Sequence, residues 1–270
     1  MKNGFIFTLS IAVSAVILTS FAFLKTQGVD VEIPEAIRID AGQFEYRPAG
    51  DFRIETRLVD APIERRLANQ PYDIMKYHVS QADYDLCVFD RACYPSDSTK
   101  DKTFAQVNVS FIDAQVYAAW LSKKTGQTWR LPTDAEWVRA AGDRFHENIL
   151  GDISNSADPS KLWIKRYSEE AAKRGNSDPE LRPLGNFGEN DLGVADINGN
   201  VWEWTTGCQT NGQVSMDGQH VLNRNDYCGV RIAQGKHRAY IIDFVRDAKS
   251  GGCAVGIPPD NLGIRLVREL

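Results

Sequence analysis

The stretch DINGNVWEWT, residues 196–205, decides how the rest of the chain is arranged. Its Asn-Gly step favours a positive φ and predicts a tight turn at residues 196–200. From Val201 onward apolar and polar residues alternate, which predicts a short strand that buries one face. Trp202 and Trp204 share a face of that strand. Because tryptophan is among the largest side chains to bury, two of them in such a short stretch indicate a junction of the core.

Glu203 lies between these two tryptophans, so its carboxylate belongs beside a dense apolar cluster. An unpaired buried carboxylate is costly, and some group must therefore pair with it. One interpretation is that Glu203 accepts hydrogen bonds from the backbone or from a tryptophan N–H. The other is a bound cation, for which Asp196 and the turn carbonyls would supply further oxygen ligands. The local sequence leaves both interpretations open.

The composition is that of a folded domain and not that of a nucleic-acid binder. The chain has 270 residues, of which 43% are hydrophobic and 25% charged, so it can bury one sizeable core or at most two small ones. The formal net charge is −5, and no stretch concentrates lysine and arginine enough to reverse it. We therefore expect no nucleic-acid partner.

The N-terminus has the pattern of an export signal. Residues 4–24 carry no charge and follow Lys2, which matches a basic region followed by a long apolar run. Ser20-Phe21-Ala22 is an acceptable cleavage site, but the run is also about as long as the roughly 20 residues of a membrane span. We expect residues 1–25 to be a signal peptide or an N-terminal membrane anchor. Either one places the rest of the chain in the periplasm or another extracytoplasmic compartment, where disulfides form.

Three stretches have the signature of a helix start. Ser80–Asp83 and Ser110–Asp113 approximate capping boxes, and Thr133–Glu136 is a full capping box preceded by Pro132. The helix that begins after Ser110 should end at Gly126, because glycine adopts the left-handed conformation that closes a helix.

Two other segments are interpreted from their residue patterns. Ile37–Tyr46 alternates between apolar and polar residues and predicts a single first strand. Residues 207–235 are rich in glycine, asparagine and aspartate and predict a loop region.

The five cysteines predict two disulfides in an exported chain. Cys87 and Cys93 lie across a helix end and a loop, and we interpret them as a local disulfide. Cys208 with Cys228 is a plausible second bridge, which leaves Cys253 as a free thiol in a glycine loop. The alternative is that Cys253 pairs with Cys208 or Cys228 and holds the C-terminal loop.

Four motifs, in order along the chain, resemble the formylglycine-generating enzyme, or sulfatase-modifying factor, superfamily. They are VSQADY (residues 79–84), RLPTDAEW (130–137), GNVWEW (199–204) and NLGIR (261–265). The resemblance covers about residues 35–270, which we expect to form one domain. It implies an α+β fold of the C-type-lectin-like kind, low in regular secondary structure.

The charged residues of the second motif allow two interpretations. Arg130 and Glu136 are close in sequence and invite a catalytic role. Alternatively, Glu136 caps its helix and Arg130 forms a structural salt bridge with its surroundings.

The resemblance also implies calcium ligands. The family's second calcium site maps onto the side chains of Asp196 and Glu203 and the backbone carbonyls of Gly199 and Val201. Asn148-Ile149 resembles part of the first calcium site, but the aspartate that completes this site has no clear counterpart. We therefore expect a structural calcium ion at the second site.

The resemblance argues against ordinary formylglycine formation. The oxygen-dependent enzymes of the family use two copper-binding cysteines, which follow a GGS strand start and suit a soft Cu(I) ion. The corresponding segment here, Arg231–Ile241, has no cysteine, and Gln234-Gly235-Lys236 replaces the glycine pair and serine. Copper ligation by such a cysteine pair is therefore not expected.

The iron-dependent sulfoxide synthases are similar to this chain in one domain only. They also need a separate helical domain that supplies two of the iron-binding histidines, and we expect no such domain here. The four histidines lie far apart in the sequence, at His78, His146, His220 and His237.

We therefore expect an exported maturation factor, an oxidoreductase that acts on another exported protein or peptide. The oxidation would depend on O₂ and on a metal, copper or iron, and the first candidates for its catalytic residues are Cys253, His237 and Tyr240. The rival expectation is a non-catalytic binding or scaffolding module, with a structural calcium ion, on the same fold.

Overall fold

The computed structural model describes residues 29–96, 103–147, 180–249, 254–255 and 259–270, together with residues 160–161, 164 and 167–168. The expected leader at residues 1–25 lies outside this part of the chain, and so do Asn148, Ile149 and Cys253. Within the described ranges, no helix is both long enough and apolar enough to cross a membrane.

Short helices occupy the middle of the described chain and strands flank them. The helices are α1 (Gln81–Phe89), α2 (Phe111–Thr125) and α3 (Asp134–Ala141), and a 3-10 turn follows at Gly142–Arg144. In chain order, the strands are β1 (Ala36–Ile39), β2 (Gly42–Tyr46), β3 (Asp51–Ile54), β4 (Arg57–Val59), β5 (Glu64–Ala68), β6 (Tyr72–Met75), β7 (Trp129–Arg130), β8 (Trp202–Val214), β9 (Val221–Gln234), β10 (Ala239–Ile242), β11 (Ala254–Val255), β12 (Leu262–Gly263) and β13 (Val267–Arg268).

In the part of the chain that the structure describes, these strands form three sheets. The largest has the order β11-β10-β9-β8-β3-β4, with β12 parallel to β8, and its centre is the long antiparallel hairpin of β8 and β9. A second sheet has the order β1-β6-β13-β7 and is antiparallel throughout. Strands β2 and β5 pair separately. The fold thus mixes sheets and helices, as the expected α+β class requires.

Each of α1, α2 and α3 begins at the cap that the sequence predicts. The hydroxyls of Ser80, Ser110 and Thr133 each accept a hydrogen bond from the backbone N–H three residues on, and the acidic residue there bonds back to the cap. Helix α2 ends at Gly126, whose φ of 68° is left-handed. Local sequence therefore determines the residue at which each helix begins.

Two apolar clusters hold the helices and sheets together. The larger lies against α1 and α2 and includes Trp202 and Trp204, whereas the smaller packs α3 against β1 and β6 and includes Trp137. Glu203 points toward Trp137 of the smaller cluster. The two faces of β8 at its start thus pack on different clusters, and residues 202–205 are all buried. The expectation that this strand buries only one face is therefore wrong at its start.

Two expectations about local structure are also wrong. Ile37–Tyr46 is not one strand, because the chain breaks between β1 and β2 and Gly42 there adopts a φ of 152°, which other residues rarely adopt. Residues 207–235 are not a loop and instead form most of the β8–β9 hairpin. The outer part of that hairpin is polar and exposed, so it lacks the apolar alternation by which strands are recognised.

Candidate functional site

Glu203 is the centre of a fully buried polar cluster. Its Oε1 accepts a hydrogen bond from His78 Nε2 at 2.8 Å, and its Oε2 accepts one from Trp137 Nε1 at 2.6 Å. Arg265 donates to both oxygens, from Nε at 2.8 Å and from Nη2 at 3.0 Å. The prediction that Glu203 accepts a tryptophan N–H is confirmed, and the donor comes from α3.

Three of the sequence motifs meet at this carboxylate. Trp137 ends RLPTDAEW, Glu203 lies in GNVWEW and Arg265 ends NLGIR. Arg265 also donates to three backbone carbonyls, those of Met75, Lys76 and Ala195. Because a buried charge that loses its partner is strongly destabilising, this cluster fixes the relative positions of the segments that supply it. We call these four side chains (His78, Trp137, Glu203 and Arg265) the Glu203 cluster.

The protonation of the Glu203 cluster follows from burial and charge. Burial by itself raises the pKa of Glu203, but the charge of Arg265 and the contact with His78 outweigh it and lower the pKa to about 2. Burial and the charge of Arg265 both lower the pKa of His78. At neutral pH, Glu203 is therefore ionised and His78 is neutral, with its proton on Nε2. The other ring nitrogen, Nδ1, is buried and has no hydrogen-bond partner among the described groups.

Asp196 organises the turn that precedes the strand. Asp196 and Asn198 adopt positive φ values of 57° and 61°, which confirms the predicted tight turn. The buried carboxylate of Asp196 accepts hydrogen bonds from the backbone N–H groups of Gly185, at 2.5 Å, and Phe187, at 2.8 Å. Asp196 thereby ties the turn to the segment that precedes it.

The two carboxylates among the predicted calcium ligands, those of Asp196 and Glu203, are engaged by other partners. N–H donors occupy both carboxylates, of Asp196 and Glu203, whereas calcium needs six to eight oxygen ligands. In the described part of the chain, no three His, Cys, Asp or Glu side chains are grouped so as to hold a metal ion. The calcium ligand set at Asp196, Gly199, Val201 and Glu203 stays a prediction, and Asn148 and Ile149 lie outside the described residues.

A second polar cluster links α3 to the segment Arg231–Ile241. Asp134 accepts hydrogen bonds from Tyr46 Oη, at 2.6 Å, and from the side-chain amide of Gln234, and it pairs with Arg238 at 3.1 Å. Burial, with Asp134 beside it, raises the pKa of Tyr46 far above its usual value. The sequence did not reveal this cluster, because its members come from three separate segments.

Two of the three catalytic candidates, His237 and Tyr240, lie within that segment. The ring of His237 packs edge-on against Trp202 with 5.2 Å between the ring centroids, and Trp202 Nε1 donates to the carbonyl of His237 at 3.0 Å. Tyr240 lies on β10, opposite Ile232 of β9, and both candidates are half-buried. Cys253 lies outside the described residues. It precedes β11 in sequence, and β11 pairs with β10.

The two predicted disulfides are confirmed. Cys87–Cys93 joins the end of α1 to the following loop, and both of its residues are buried. Cys208–Cys228 crosses the β8–β9 hairpin, with Cys208 half-buried and Cys228 exposed.

Arg130 and Glu136 are structural partners. Arg130 makes two hydrogen bonds to the Glu136 carboxylate, at 2.8 and 2.7 Å, and Glu136 accepts the backbone N–H of Thr133 at 2.7 Å. The structural interpretation of this pair, as a helix cap and a salt bridge, is confirmed.

The sequence comparisons agree with the motifs. Residues 20–270 match the family described as sulfatase-modifying factor enzyme 1-like domain. This chain belongs to that family, whose members include the formylglycine-generating enzymes.

Among individual relatives, the inactive C-alpha-formylglycine-generating enzyme 2 of Bos taurus is 28% identical over 175 residues, which cover 63% of this chain and 52% of the relative. The formylglycine-generating enzyme of Mycobacterium tuberculosis is 34% identical over 128 residues, 43% of this chain and 39% of that enzyme. This chain therefore matches about half or less of the length of these relatives. Among solved structures, PvdO from Pseudomonas aeruginosa shares the fold, with a TM-score of 0.53 at 22% identity over 89% of this chain and 97% of PvdO.

Proposed function

We propose that this protein is an exported maturation factor that oxidises a group on another exported protein or peptide. The observation that carries the proposal is the position of residues 234–240, which connect β9 to β10 next to Trp202. Two side chains of this segment, His237 and Tyr240, are half-buried. Functional side chains commonly lie on such connecting segments when a rigid scaffold positions them. Cys253, the third proposed catalytic residue, lies outside the described residues.

The proposed oxidation differs from ordinary formylglycine formation. The segment Arg231–Ile241 contains no thiolate. The side chain of Gln234 is buried and bonded to Asp134, and a Cβ at Gly235 would lie 2.6 Å from the ring of Trp202. These donors do not fit a Cu(I) ion held by two thiolates, so we derive no step through such a centre.

The proposal still includes a redox metal, copper or iron, which would transfer electrons from the substrate to O₂. His237 is the described candidate with a suitable donor atom for either metal, since imidazole binds both. Tyr240, on the neighbouring strand, is proposed to contact the substrate.

Metal content tests this proposal directly. The protein is purified from the exported fraction without chelators and analysed by mass spectrometry, before and after anaerobic loading with Cu(I) or Fe(II). We expect stoichiometric copper or iron that is lost in His237→Ala and kept in His220→Ala, whose imidazole is exposed in the β8–β9 turn. Calcium alone, with no redox metal after loading, would overturn the proposal. The mass of the mature chain also tells whether residues 1–25 are cleaved or kept as an anchor.

The second candidate function is a non-catalytic binding or scaffolding module with a structural calcium ion. One observation favours it: a relative of this chain is named as inactive. The C-type-lectin-like character of the fold, in which variable loops surround a rigid core, is part of this candidate. A rise in melting temperature with added calcium, in protein that binds no redox metal, would support it.

A further inference from the structure

We propose that the Cys208–Cys228 disulfide is a thiol–disulfide exchange site that oxidises a polypeptide dithiol to a disulfide. This activity is independent of the metal-dependent oxidation proposed above. In it, the substrate attacks the Cys228 sulfur, and Cys208 is the leaving group, assisted by Arg231.

The irregular pairing of the hairpin makes Cys228 accessible. On β9, Tyr227 pairs with Gln209 of β8 and Arg231 pairs with Cys208 of β8. Gln209 directly follows Cys208 on β8, but residues 228–230 of β9 lie between their two pairing partners. These three residues therefore have no backbone pairing partner on β8. Such a bulge redirects side chains away from the regular ladder. Cys228 is accordingly exposed, whereas Cys208 is half-buried, so an incoming thiolate reaches the Cys228 sulfur more easily.

Arg231 lies where a leaving thiolate would form. Its Nη1 is 3.2 Å from Cys208 Sγ and donates to the carbonyl of Thr206 at 3.2 Å. The guanidinium stacks on the ring of Phe111, 4.3 Å from the ring centroid, and Nε has no partner among the described groups. Burial lowers the pKa of Arg231, and the negative charge of Asp243 opposes that shift. A positive charge beside a cysteine sulfur stabilises its thiolate, and a more stable thiolate leaves faster in exchange.

The surface next to Cys228 suits a polypeptide. Tyr227, adjacent in sequence, is 52% exposed, and Phe244 is 64% exposed. Phe244 directly follows Asp243, whose backbone N–H donates to the carbonyl of Gly229 at 3.2 Å, so it lies near the bulge. These two exposed aromatic rings give an unfolded peptide contacts that a small thiol lacks.

The reaction balances without a further reagent. A substrate thiolate attacks Cys228 Sγ, the Cys208–Cys228 bond breaks, and Cys208 leaves as a thiolate. The second substrate thiolate then attacks the substrate sulfur of the mixed disulfide and releases the Cys228 thiolate. The substrate loses two electrons and two protons and gains an S–S bond. The protein gains both electrons, and its two cysteines take up two protons through solvent.

The test uses the full chain with both disulfides formed, without O₂ and with a chelator present, so that its outcome is separate from metal-dependent oxidation. A synthetic peptide with two cysteines is added, samples are quenched in acid, and free thiols are alkylated and located by mass spectrometry. We expect one peptide disulfide for each reduced Cys208–Cys228 bridge, while the buried Cys87–Cys93 bridge stays intact. Reduction of Cys87–Cys93 at an equal rate, or no peptide disulfide, would overturn the proposal.

Two further measurements identify the roles of the residues. A peptide with one cysteine should be trapped on Cys228, and an adduct on Cys208 would contradict the proposed order.

Arg231→Gln should slow the exchange about threefold, as expected for a change of about one unit in the pKa of the leaving thiol at a Brønsted slope of about 0.5. Arg231→Lys, which keeps the charge, should recover part of the rate. Arg224→Gln, an exposed arginine on the same strand, is the matched control and should react as the wild type does.

Discussion

Strand β8 is fully buried at its start, whereas farther along it pairs with the exposed part of β9, and different interactions hold these two ends of the β8–β9 hairpin. At the start, residues 202–205 are buried, and Glu203 is bonded to side chains from three distant segments. At the far end, the strand pairs with an exposed partner, β9, and the Cys208–Cys228 bridge is accessible on the Cys228 side. The buried end depends on a network in which each member needs the others. The exposed end depends on backbone pairing, one disulfide and a small apolar cluster that includes Phe52 and Val214. Its exposed side chains take no part in a buried polar network, so we expect substitutions there to cost less stability.

Arg265→Met should cause the largest loss of stability, because it leaves Glu203 as a buried carboxylate without a cationic partner. Breaking a buried ion pair on one side costs about 3–5 kcal/mol. Urea unfolding followed by tryptophan fluorescence measures the loss. The matched change at the exposed end is Arg224→Met, which removes a pair with Asp226 whose side chains are 41% and 45% exposed. That variant should lose less than about 1 kcal/mol, and similar losses in both variants would contradict the comparison.

Acid should cause the second-largest effect, a loss of stability at the buried end. The pKa values of Glu203 and His78 are both lower in the folded protein than their ordinary values of 4.5 and 6.5. The unfolded chain therefore binds more protons, and the free energy of unfolding falls as the pH drops below about 6.5. The contribution of Glu203 is present above pH 4.5 and is lost as the pH falls toward its folded pKa of about 2.

Glu203 contributes on the order of 3 kcal/mol to the free energy of unfolding at neutral pH. Unfolding measured at a series of pH values should show it, and Glu203→Gln should flatten the profile below pH 4.5. His78→Gln should flatten the part that begins near pH 6.5. Arg224→Met should keep the wild-type profile. A profile that stays unchanged in Glu203→Gln would argue against a charged Glu203 in the folded state.

Gly235→Ala should give the smallest of these effects that is still measurable. A Cβ there would lie 2.6 Å from the ring of Trp202, and such overpacking typically costs about 1–3 kcal/mol. Gly229→Ala, in the bulge of β9, is the control, since no atom lies within 4 Å of the added Cβ. Thermal unfolding of the two variants measures the difference. Equal melting temperatures would mean that the ring of Trp202 can move aside.

Local features of this protein, such as its helix caps, were predictable from sequence, whereas the long-range partners of buried polar groups were not. The caps at Ser80, Ser110 and Thr133 act within four residues, so their sequence predicts them. The tryptophan partner of Glu203 was predicted as a residue type, since a buried carboxylate must be paired. Its identity as Trp137 depends on how distant segments pack, which no local pattern encodes.

The same limit explains what the sequence missed at the site. His78 and Glu203 are 125 residues apart, and Arg265 lies 62 residues beyond Glu203. Nothing near His78 distinguishes a structural histidine from a metal ligand. The β8–β9 hairpin was missed because its exposed residues are selected for solvent contact, and the usual strand alternation is absent.

The position of β13 has a consequence for the timing of folding. β13 lies between β6 and β7, and Arg268 bonds to Asp73, 195 residues away in sequence. During synthesis, the apolar residues of β6 emerge long before this neighbour exists. The second sheet therefore closes only after residue 268 has left the ribosome, and contacts of such long sequence separation make folding slow. Until then β6 lacks one of its partner strands, and an unpaired apolar strand is prone to aggregate.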